Sequence, residues 1–284
     1  MDLLETRNEI LEILQNRYKT EGLSFEEENH IYEMKDINGE LRNDWKSVSK
    51  IIKYFYDEFN SEEIAEKKSK GDENIKQELL SEWNNAGLMA VNLGSRVHYL
   101  LEKESLEIFN IQKTVRKPVF DCDFNQIIKS DAMVQAGIEF LNLMKERGAV
   151  LLDTEVVLGS SELGITGTAD KLWLIENKNK NEIGIIVSDY KSGKPKNFLP
   201  NNFTKKMKYP FFYLDDTALG HYSVQLPLYG KLFLKMLEGT KYEKLKIYGC
   251  IIVLLKEDSK FEEFRIDRGI INTILSMDFK KYYQ

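Results

Sequence analysis

Two aspartates and a lysine lie near the ends of two apolar segments of the chain. Asp170 lies in segment 163–176, and Asp189 and Lys191 lie at the end of segment 182–190. The polar stretch between the segments is typical of a turn. If they form an antiparallel hairpin centred on residues 179 and 180, Asp170 lies opposite Asp189, with Cβ atoms roughly 4.5–5.5 Å apart. Lys191 follows by two residues and points to the same face.

These three side chains suit a particular chemistry. Two adjacent carboxylates repel each other unless a cation joins them, and Mg²⁺ prefers oxygen ligands of this kind. A bound Mg²⁺ can acidify a water molecule and hold a phosphate oxygen. A neighbouring lysine can orient or deprotonate that water, or offset the charge of the transition state. The residues therefore predict hydrolysis of a phosphodiester.

A competing interpretation is that the three residues are exposed at strand ends, as is usual for a lone Asp-x-Lys. The sequence before Asp170 weakens this interpretation, because Gly164 and Gly167 mark a turn that leads into the strand. The order of several further motifs in the chain weakens it again.

The spacing of apolar residues predicts helices before residue 149 and mainly strands after it. Helices are predicted over 3–19, 47–59 with Ser47 as N-cap, 61–109 with breaks near Gly71 and Gly87, 130–147, 220–237, and from Asp267. A hairpin is predicted for 30–45 around Asn38-Gly39, and strands for 150–158, 163–176, 182–190 and 245–255. Pro227 suits the first turn of a helix, so its helix is expected to begin near Ser223 or Val224. The order of elements predicts an α/β (α+β) fold with a helical N-terminal region.

Composition restricts the classes of protein further. Of 284 residues, 42% are hydrophobic and 30% are charged, which suits a large core and a charged surface. No apolar run reaches the roughly 18 residues that a membrane span needs, and the N-terminus lacks the layout of a signal peptide. Cys122 and Cys250 are far apart, which argues against a disulfide framework or an iron–sulfur cluster. We therefore expect a cytoplasmic protein without membrane contact.

Four motifs follow one another in an order found in a known nuclease family. They are Gly94-Ser95-Arg96-Val97-His98 with Glu102, Glu155 with Gly164, Gly167 and Asp170, Asp189-Tyr190-Lys191-Ser192-Gly193, and Gln225 with Tyr229. Each motif alone is weakly specific, but together they resemble the RecB-like branch of the PD-(D/E)XK nuclease superfamily over residues 83–255. The N-terminal hairpin followed by Ser47-Val48-Ser49 is similar to the beginning of phage exonucleases and of the mitochondrial genome maintenance exonuclease.

The resemblance implies a restriction-endonuclease-like core, in which helices flank a central mixed sheet, and a role for each matching residue. Mg²⁺, or Mn²⁺ in its place, would be bound by His98, Asp170, Asp189 and the backbone carbonyl of Tyr190. The catalytic residues would be Asp170, Asp189, Lys191 and Glu155. The substrate would be contacted by Gln225, Tyr229 and Ser192. The cysteine cluster of the iron–sulfur members is missing, so no such cofactor is expected.

Segment 190–214 concentrates positive charge and aromatic rings in a chain whose net charge is −6. It contains no Asp or Glu, and its residues expected to contact DNA are Lys194, Lys196, Lys205, Lys206, Phe198 and Phe203. Lysines can follow a phosphate backbone, and rings can stack on the bases of a single strand. The alternative is that some of these rings pack the segment onto the core.

The expected protein is a metal-dependent DNA nuclease formed by one domain, 1–284, in the cytoplasm of a bacterial or phage-infected cell. Residues 1–90 would form a hairpin and helical region that could act as a lid, and residues 91–284 the catalytic core. An exonuclease that acts on single-stranded ends or flaps is favoured by the family analogy. The alternatives are an endonuclease of the same fold and a non-catalytic nucleic-acid-binding protein that retains it.

Overall fold

A mixed six-stranded sheet with helices on both faces forms the centre of the computed structural model, which describes residues 2–177, 179–193 and 198–283. The described helices are α1 (Leu3–Glu21), α2 (Val48–Ile52), α3 (Ser61–Ser69), α4 (Glu73–Ile108), α5 (Phe124–Glu146), α6 (Ala218–Met236) and α7 (Arg268–Ser276). The strands are β1 (Ser24–Glu26), β2 (Ile31–Lys35), β3 (Leu41–Arg42), β4 (Lys46–Ser47), β5 (Val150–Ser160), β6 (Ile165–Asn177), β7 (Glu182–Ser192), β8 (Lys246–Leu255) and β9 (Phe261–Arg265). The expected α/β fold, with a mixed sheet between helices and an N-terminal helix, is confirmed.

The strands of the central sheet run in both directions. β5, β6 and β7 form an antiparallel meander, β7 pairs with β8 in parallel, and β9 returns antiparallel to β8. The short β4 pairs in parallel with the first residues of β6. A separate three-stranded sheet, β1 to β3, contains the predicted hairpin around Asn38-Gly39.

Apolar side chains cover both faces of the central sheet. One face carries Leu172, Leu174 and Ile185 and packs against α1, α6 and α7. The other face carries Trp173, and it packs against α4 and α5. Alternate residues of β6 and β7 therefore belong to different cores, which is the reason these strands are apolar on both sides.

Several predicted boundaries were wrong, because local signals were overruled by packing. α4 passes through Gly87 without a break, since one glycine costs only about 1 kcal/mol in a 36-residue helix. α6 begins at Ala218, capped by Thr217, and includes Pro227 in its interior. That proline costs about 3 kcal/mol, but its helix buries a whole face on the sheet. α2 ends at Ile52 and a 3₁₀ turn follows it, so the predicted helix to residue 59 is too long.

Other elements were not predicted. β4 and β9 are too short to show a pattern, and α5 begins before residue 130, at Phe124. A capping box between Asp123 and Gln126 starts α5, and this Asp-x-x-Gln signal is visible in the sequence. The predicted division at residue 90 stays a prediction; α4 runs across that position. Within the described part of the chain, no helix is both long and apolar enough to cross a membrane.

Candidate functional site

The sheet opens at one point along β6, and the candidate site lies there. β7 pairs with residues 171–177 of β6, whereas β4 pairs with residues 165–166. Asp170 lies between these two ladders, one step beyond the last pair, Lys171 with Ser188. The predicted hairpin register is confirmed, since the next step places Asp170 opposite Asp189. Gly167 is needed here because a Cβ would lie 2.8 Å from the Tyr229 ring and 3.0 Å from Val48.

β5 brings a second carboxylate to Asp170. Thr154 pairs with Lys171 and Val156 with Ala169, so Glu155 lies opposite Asp170 across the ladder. Glu155 has a left-handed backbone, with φ of 45°, which is uncommon for a residue with a side chain. Residues held in this region cluster at functional sites, where surrounding structure compensates the strain.

α4 supplies an imidazole from the other side of the sheet. Val97 and Leu101 are fully buried and fix this part of the helix on α5 and the sheet. His98 Nε2 lies 3.0 Å from the carbonyl oxygen of Tyr190. A carbonyl can only accept, so Nε2 carries the proton, and in the neutral ring Nδ1 keeps its lone pair. The Tyr190 carbonyl orients His98, and its predicted role as a metal ligand stays a prediction.

The free nitrogen of His98 faces two carboxylates. Nδ1 lies 3.7 Å from Asp170 Oδ2 and 4.0 Å from Glu155 Oε1. One atom each from His98, Glu155 and Asp170 forms a group in which all distances are within 4.8 Å. One imidazole nitrogen and two carboxylate oxygens are ligands that Mn²⁺ and Mg²⁺ accept.

Asp170 is held as a carboxylate by three neighbours. Lys171 Nζ donates to Oδ1 at 2.9 Å, and the backbone N–H of Tyr190 donates to Oδ2 at 3.0 Å. Burial alone would raise the pKa of Asp170, but Lys171, His98 and the Tyr190 N–H together lower it below its usual value. Lys171 is itself only 1% exposed, and its ammonium lies 4.4 Å from the centre of the Tyr190 ring.

Glu155 has the opposite electrostatics. Desolvation in the site, and after it the charge of Asp170, raise the pKa of Glu155 well above its usual value. About 40% of its side chain is still accessible to solvent, so a cation can reach it. Two close carboxylates repel each other, so one pKa is raised and the other is lowered when no cation lies between them.

Asp189 and Lys191 form an ion pair beside this group. Lys191 Nζ lies 2.7 Å from Asp189 Oδ2, and 4.3 Å from the centre of the Tyr222 ring. Burial would lower the pKa of Lys191, but Asp189 and the Tyr222 hydroxyl raise it, so the side chain is an ammonium at neutral pH. Asp189 Oδ1 is buried and has no hydrogen-bond partner among the described residues. Such an orphaned oxygen costs about 1–3 kcal/mol unless something binds it.

A groove runs past the site on both sides of Glu155, and we call it the central groove. A cavity of about 390 Å³ lies toward α4 and is lined by His98, Tyr99 and Arg116. A second cavity of about 370 Å³ lies toward α2 and α6. Gln225 Nε2 donates to the Tyr229 hydroxyl at 2.7 Å, and both residues line this second cavity.

The remaining predicted residues lie at different distances from the groove. Ser192 is partly buried, and its Oγ would be 3.4 Å from a Cβ at Gly94, so α4 approaches β7 closely there. Phe198 is only 3% exposed and packs on Tyr222 and Phe264, so it serves the core rather than a base. Phe203 is 95% exposed.

The lysines that were predicted to contact DNA also have different surroundings. Lys206 forms an ion pair with Asp215 at 2.8 Å, and Lys205 lines a large cavity beyond α2. Lys194 and Lys196 lie outside the described residues. Sequence reasoning missed Lys171, because nothing local distinguishes a lysine in a strand as a buried partner of the preceding aspartate.

Comparisons with known proteins do not assign the chain to a family. No protein-family model matches the chain, and no curated protein is significantly similar to it.

Proposed function

We propose that the protein is a metal-dependent nuclease that hydrolyses phosphodiester bonds in DNA. The observation that carries the proposal is the convergence of His98, Glu155 and Asp170 within 4.8 Å of one another, beside the Asp189–Lys191 pair. The motif order supports it, since this set of residues is the one that the resemblance to PD-(D/E)XK nucleases implies. The convergence itself depends on three different elements, α4, β5 and β6.

The residues present fit a divalent cation. The unpartnered Asp189 Oδ1, the raised pKa of Glu155 and the position of His98 Nδ1 close to two carboxylates are all features that a cation would satisfy. It would be held by His98, Glu155, Asp170 and Asp189. When bound, Mg²⁺ or Mn²⁺ supplies a water molecule of lowered pKa and a contact to a phosphate oxygen.

Lys191 supplies positive charge at the reacting phosphate. Its raised pKa keeps the ammonium protonated, so its contribution is to stabilise the negative charge of the transition state rather than to remove a proton. Asp189 holds this ammonium at 2.7 Å. Lys171 holds Asp170, and the Tyr190 carbonyl holds His98. Asp170, Lys191 and His98 thus each have a partner that fixes their position.

A single DNA strand with a free end is the proposed substrate. The central groove offers Gln225 and Arg116 as polar groups and Phe25 and Tyr99 as rings, which suits a backbone with unstacked bases. The proposed compartment is the cytoplasm of a bacterial or phage-infected cell; both cysteines are free thiols.

The test is a cleavage assay on end-labelled linear DNA with Mg²⁺, with Mn²⁺ and with EDTA. We expect metal-dependent release of short products from wild type and none from Lys191→Met. Lys180→Met is the matched control, because Lys180 is an exposed lysine in the turn of the same hairpin. Metal-independent cleavage, or equal rates in the two variants, would contradict the proposal.

A circular single-stranded substrate separates the two modes of action. An exonuclease needs an end and leaves the circle intact, whereas an endonuclease opens it. If the circular substrate is cleaved as fast as the linear strand, the enzyme is an endonuclease and not an exonuclease.

A further inference from the structure

A cavity of about 930 Å³ lies on the far side of α2 from the carboxylates, and its lining is rich in lysine. We call it the lysine pocket, and its six lysines are Lys46, Lys50, Lys53, Lys67, Lys205 and Lys208. They come from β4, α2, the 3₁₀ turn after α2, α3 and the segment before α6, so only the tertiary structure brings them together. In a chain with a net charge of −6, this is a local excess of positive charge.

Half of these lysines are neutralised by acidic neighbours within the pocket. Lys53 pairs with Glu58 at 2.5 Å, Lys67 with Glu63 at 2.6 Å, and Lys208 with Asp57 at 2.7 Å. The remaining acid, Asp216, contacts His221 at 2.7 Å.

The other half are available to a ligand. Lys46, Lys50 and Lys205 form no ion pair with any residue in the described ranges, and all three line the same cavity. Asp57 and Glu63 act on Lys205, and Asp44 acts on Lys46, only beyond ion-pair distance. Three ammonium groups without a close acidic partner around one cavity attract a polyanion, and each phosphate that binds there releases counterions.

The lysine pocket lies next to the central groove, on the other side of the beginning of α2. Ser47, Val48 and Ser49 line the groove beside Glu155, whereas Lys46 and Lys50, which flank them in the chain, line the lysine pocket. The beginning of α2 therefore separates the two cavities, and a strand that left the groove past Ser49 would meet the lysines.

Aromatic rings accompany the lysines. Tyr54 is 43% exposed and Phe59 is 67% exposed, and both line the pocket. Tyr56 is stacked on His221 with ring centres 3.7 Å apart, so the pocket already holds one pair of parallel rings. Exposed rings next to lysines suit unstacked bases attached to a phosphate backbone. An acidic peptide would use the charges but not the rings.

We propose that the lysine pocket binds the phosphate backbone of the nucleic-acid strand that occupies the central groove, as a second contact site beyond α2. This proposal rests on the proposed function in assuming that the same strand occupies the central groove. The binding of a strand to the lysine pocket does not depend on it. The bound species is a single strand, because exposed rings stack only on bases that are not paired.

The experiment measures binding without catalysis. Fluorescence anisotropy of a labelled 20-nucleotide single strand is recorded in EDTA over a series of salt concentrations, for wild type and for Lys46→Gln/Lys50→Gln/Lys205→Gln. We expect affinity to fall by about tenfold or more at low salt and the salt slope to fall by about 2, since each single-strand phosphate contact contributes about 0.7.

A control variant removes two lysine charges elsewhere on the surface. Lys19 and Lys244 are exposed, form no ion pair with a described residue and lie outside the pocket, so Lys19→Gln/Lys244→Gln should bind nearly as tightly as wild type. Equal losses in both variants would show a nonspecific charge effect and overturn the proposal, as would wild-type affinity in the triple variant. Competition by polyglutamate as strong as by an oligonucleotide of equal charge would also overturn it, in favour of an acidic partner.

The two proposals fail separately. If the triple variant loses affinity and wild type cleaves nothing with Mg²⁺ or Mn²⁺, the lysine pocket stands and the nuclease proposal fails. If wild type cleaves and the triple variant binds as wild type does, the nuclease proposal stands and the lysine pocket fails.

Discussion

The strand-end cluster of Asp170, Asp189 and Lys191 and the lysine pocket both gather charge, but they do so by different means. In the cluster, each charged group is largely buried and has a fixed partner on a strand or helix. In the lysine pocket, the free lysines are mostly exposed and come from short or irregular segments. A buried charge without its partner is costly, whereas an exposed one is not.

The difference predicts how each region responds to substitution. Removing one member of the cluster should have a large effect on activity, because no neighbour can take its place. Removing one lysine from the pocket should have a small effect, because several similar groups surround the same cavity. The same contrast between buried groups with fixed partners and exposed groups predicts the effects of substitutions elsewhere in the chain.

The largest effect is expected for the ion pair at the end of β7. Asp189→Asn or Lys191→Met should lower the cleavage rate by at least roughly 10²–10³-fold. Lys191→Met removes the ammonium beside the reacting phosphate, and Asp189→Asn removes the carboxylate that holds this ammonium and would bind the cation. Single-turnover rates and thermal melting, recorded in parallel, separate chemistry from folding. A rate within a few-fold of wild type in either variant would remove that residue from the site.

Lys171 should matter for stability as well as activity. Lys171→Met leaves Asp170 buried without its ammonium, which should cost about 3 kcal/mol of unfolding free energy. The double variant Asp170→Asn/Lys171→Met should lose less, because both charges are gone. Urea unfolding of the two single variants and the double variant provides this cycle. Simple additivity of the two substitutions would show that the pair is not coupled.

Glu155, which faces Asp170 of the cluster, should give the protein a characteristic pH dependence. The folded chain holds the proton of Glu155 more tightly than the unfolded chain, because its pKa is raised. Its contribution to stability without metal is therefore present below the ordinary pKa of glutamate, about 4.3, and is lost as pH rises through the raised value.

Metal binding must displace that proton, so affinity should rise with pH by about tenfold per unit below the raised pKa. The increase in melting temperature caused by Mn²⁺ should grow from pH 5 to pH 8 in wild type and be flatter in Glu155→Gln. A wild-type increase that is the same at every pH would contradict the assigned role of Glu155.

The smallest effects are expected for exposed aromatic rings that have no role in the cluster. Tyr209 and Phe212 are 73% and 61% exposed and nearly parallel, so Tyr209→Ala/Phe212→Ala should weaken single-strand binding by several-fold and leave the melting temperature almost unchanged. Phe198→Ala, at a buried ring from the same segment, should instead cost about 3–5 kcal/mol of stability. Both variants are measured by anisotropy and by thermal melting. A loss of stability in Tyr209→Ala/Phe212→Ala, or a loss of binding without a loss of stability in Phe198→Ala, would contradict the prediction.

Much of the site could be predicted from local patterns. The polar turn between two apolar segments fixed the β6–β7 register, which placed Asp170 opposite Asp189. Ser47 was recognised as an N-cap, and its side chain does accept from the N–H of Lys50. These features depend on residues close in sequence, where alternation and capping act directly.

The sequence by itself therefore determined the four long strands β5 to β8, the register of β6 with β7 and the candidate residues that these two strands carry. Only the tertiary structure decided that His98 turns Nδ1 toward Asp170 and Glu155, that Lys171 is the buried partner of Asp170, and that Phe198 is buried while Phe203 is exposed. These outcomes depend on contacts between segments tens of residues apart or on which face of a strand meets the core. Nothing local to those residues encodes such contacts, because burial and ion pairing are set by whatever else packs beside them.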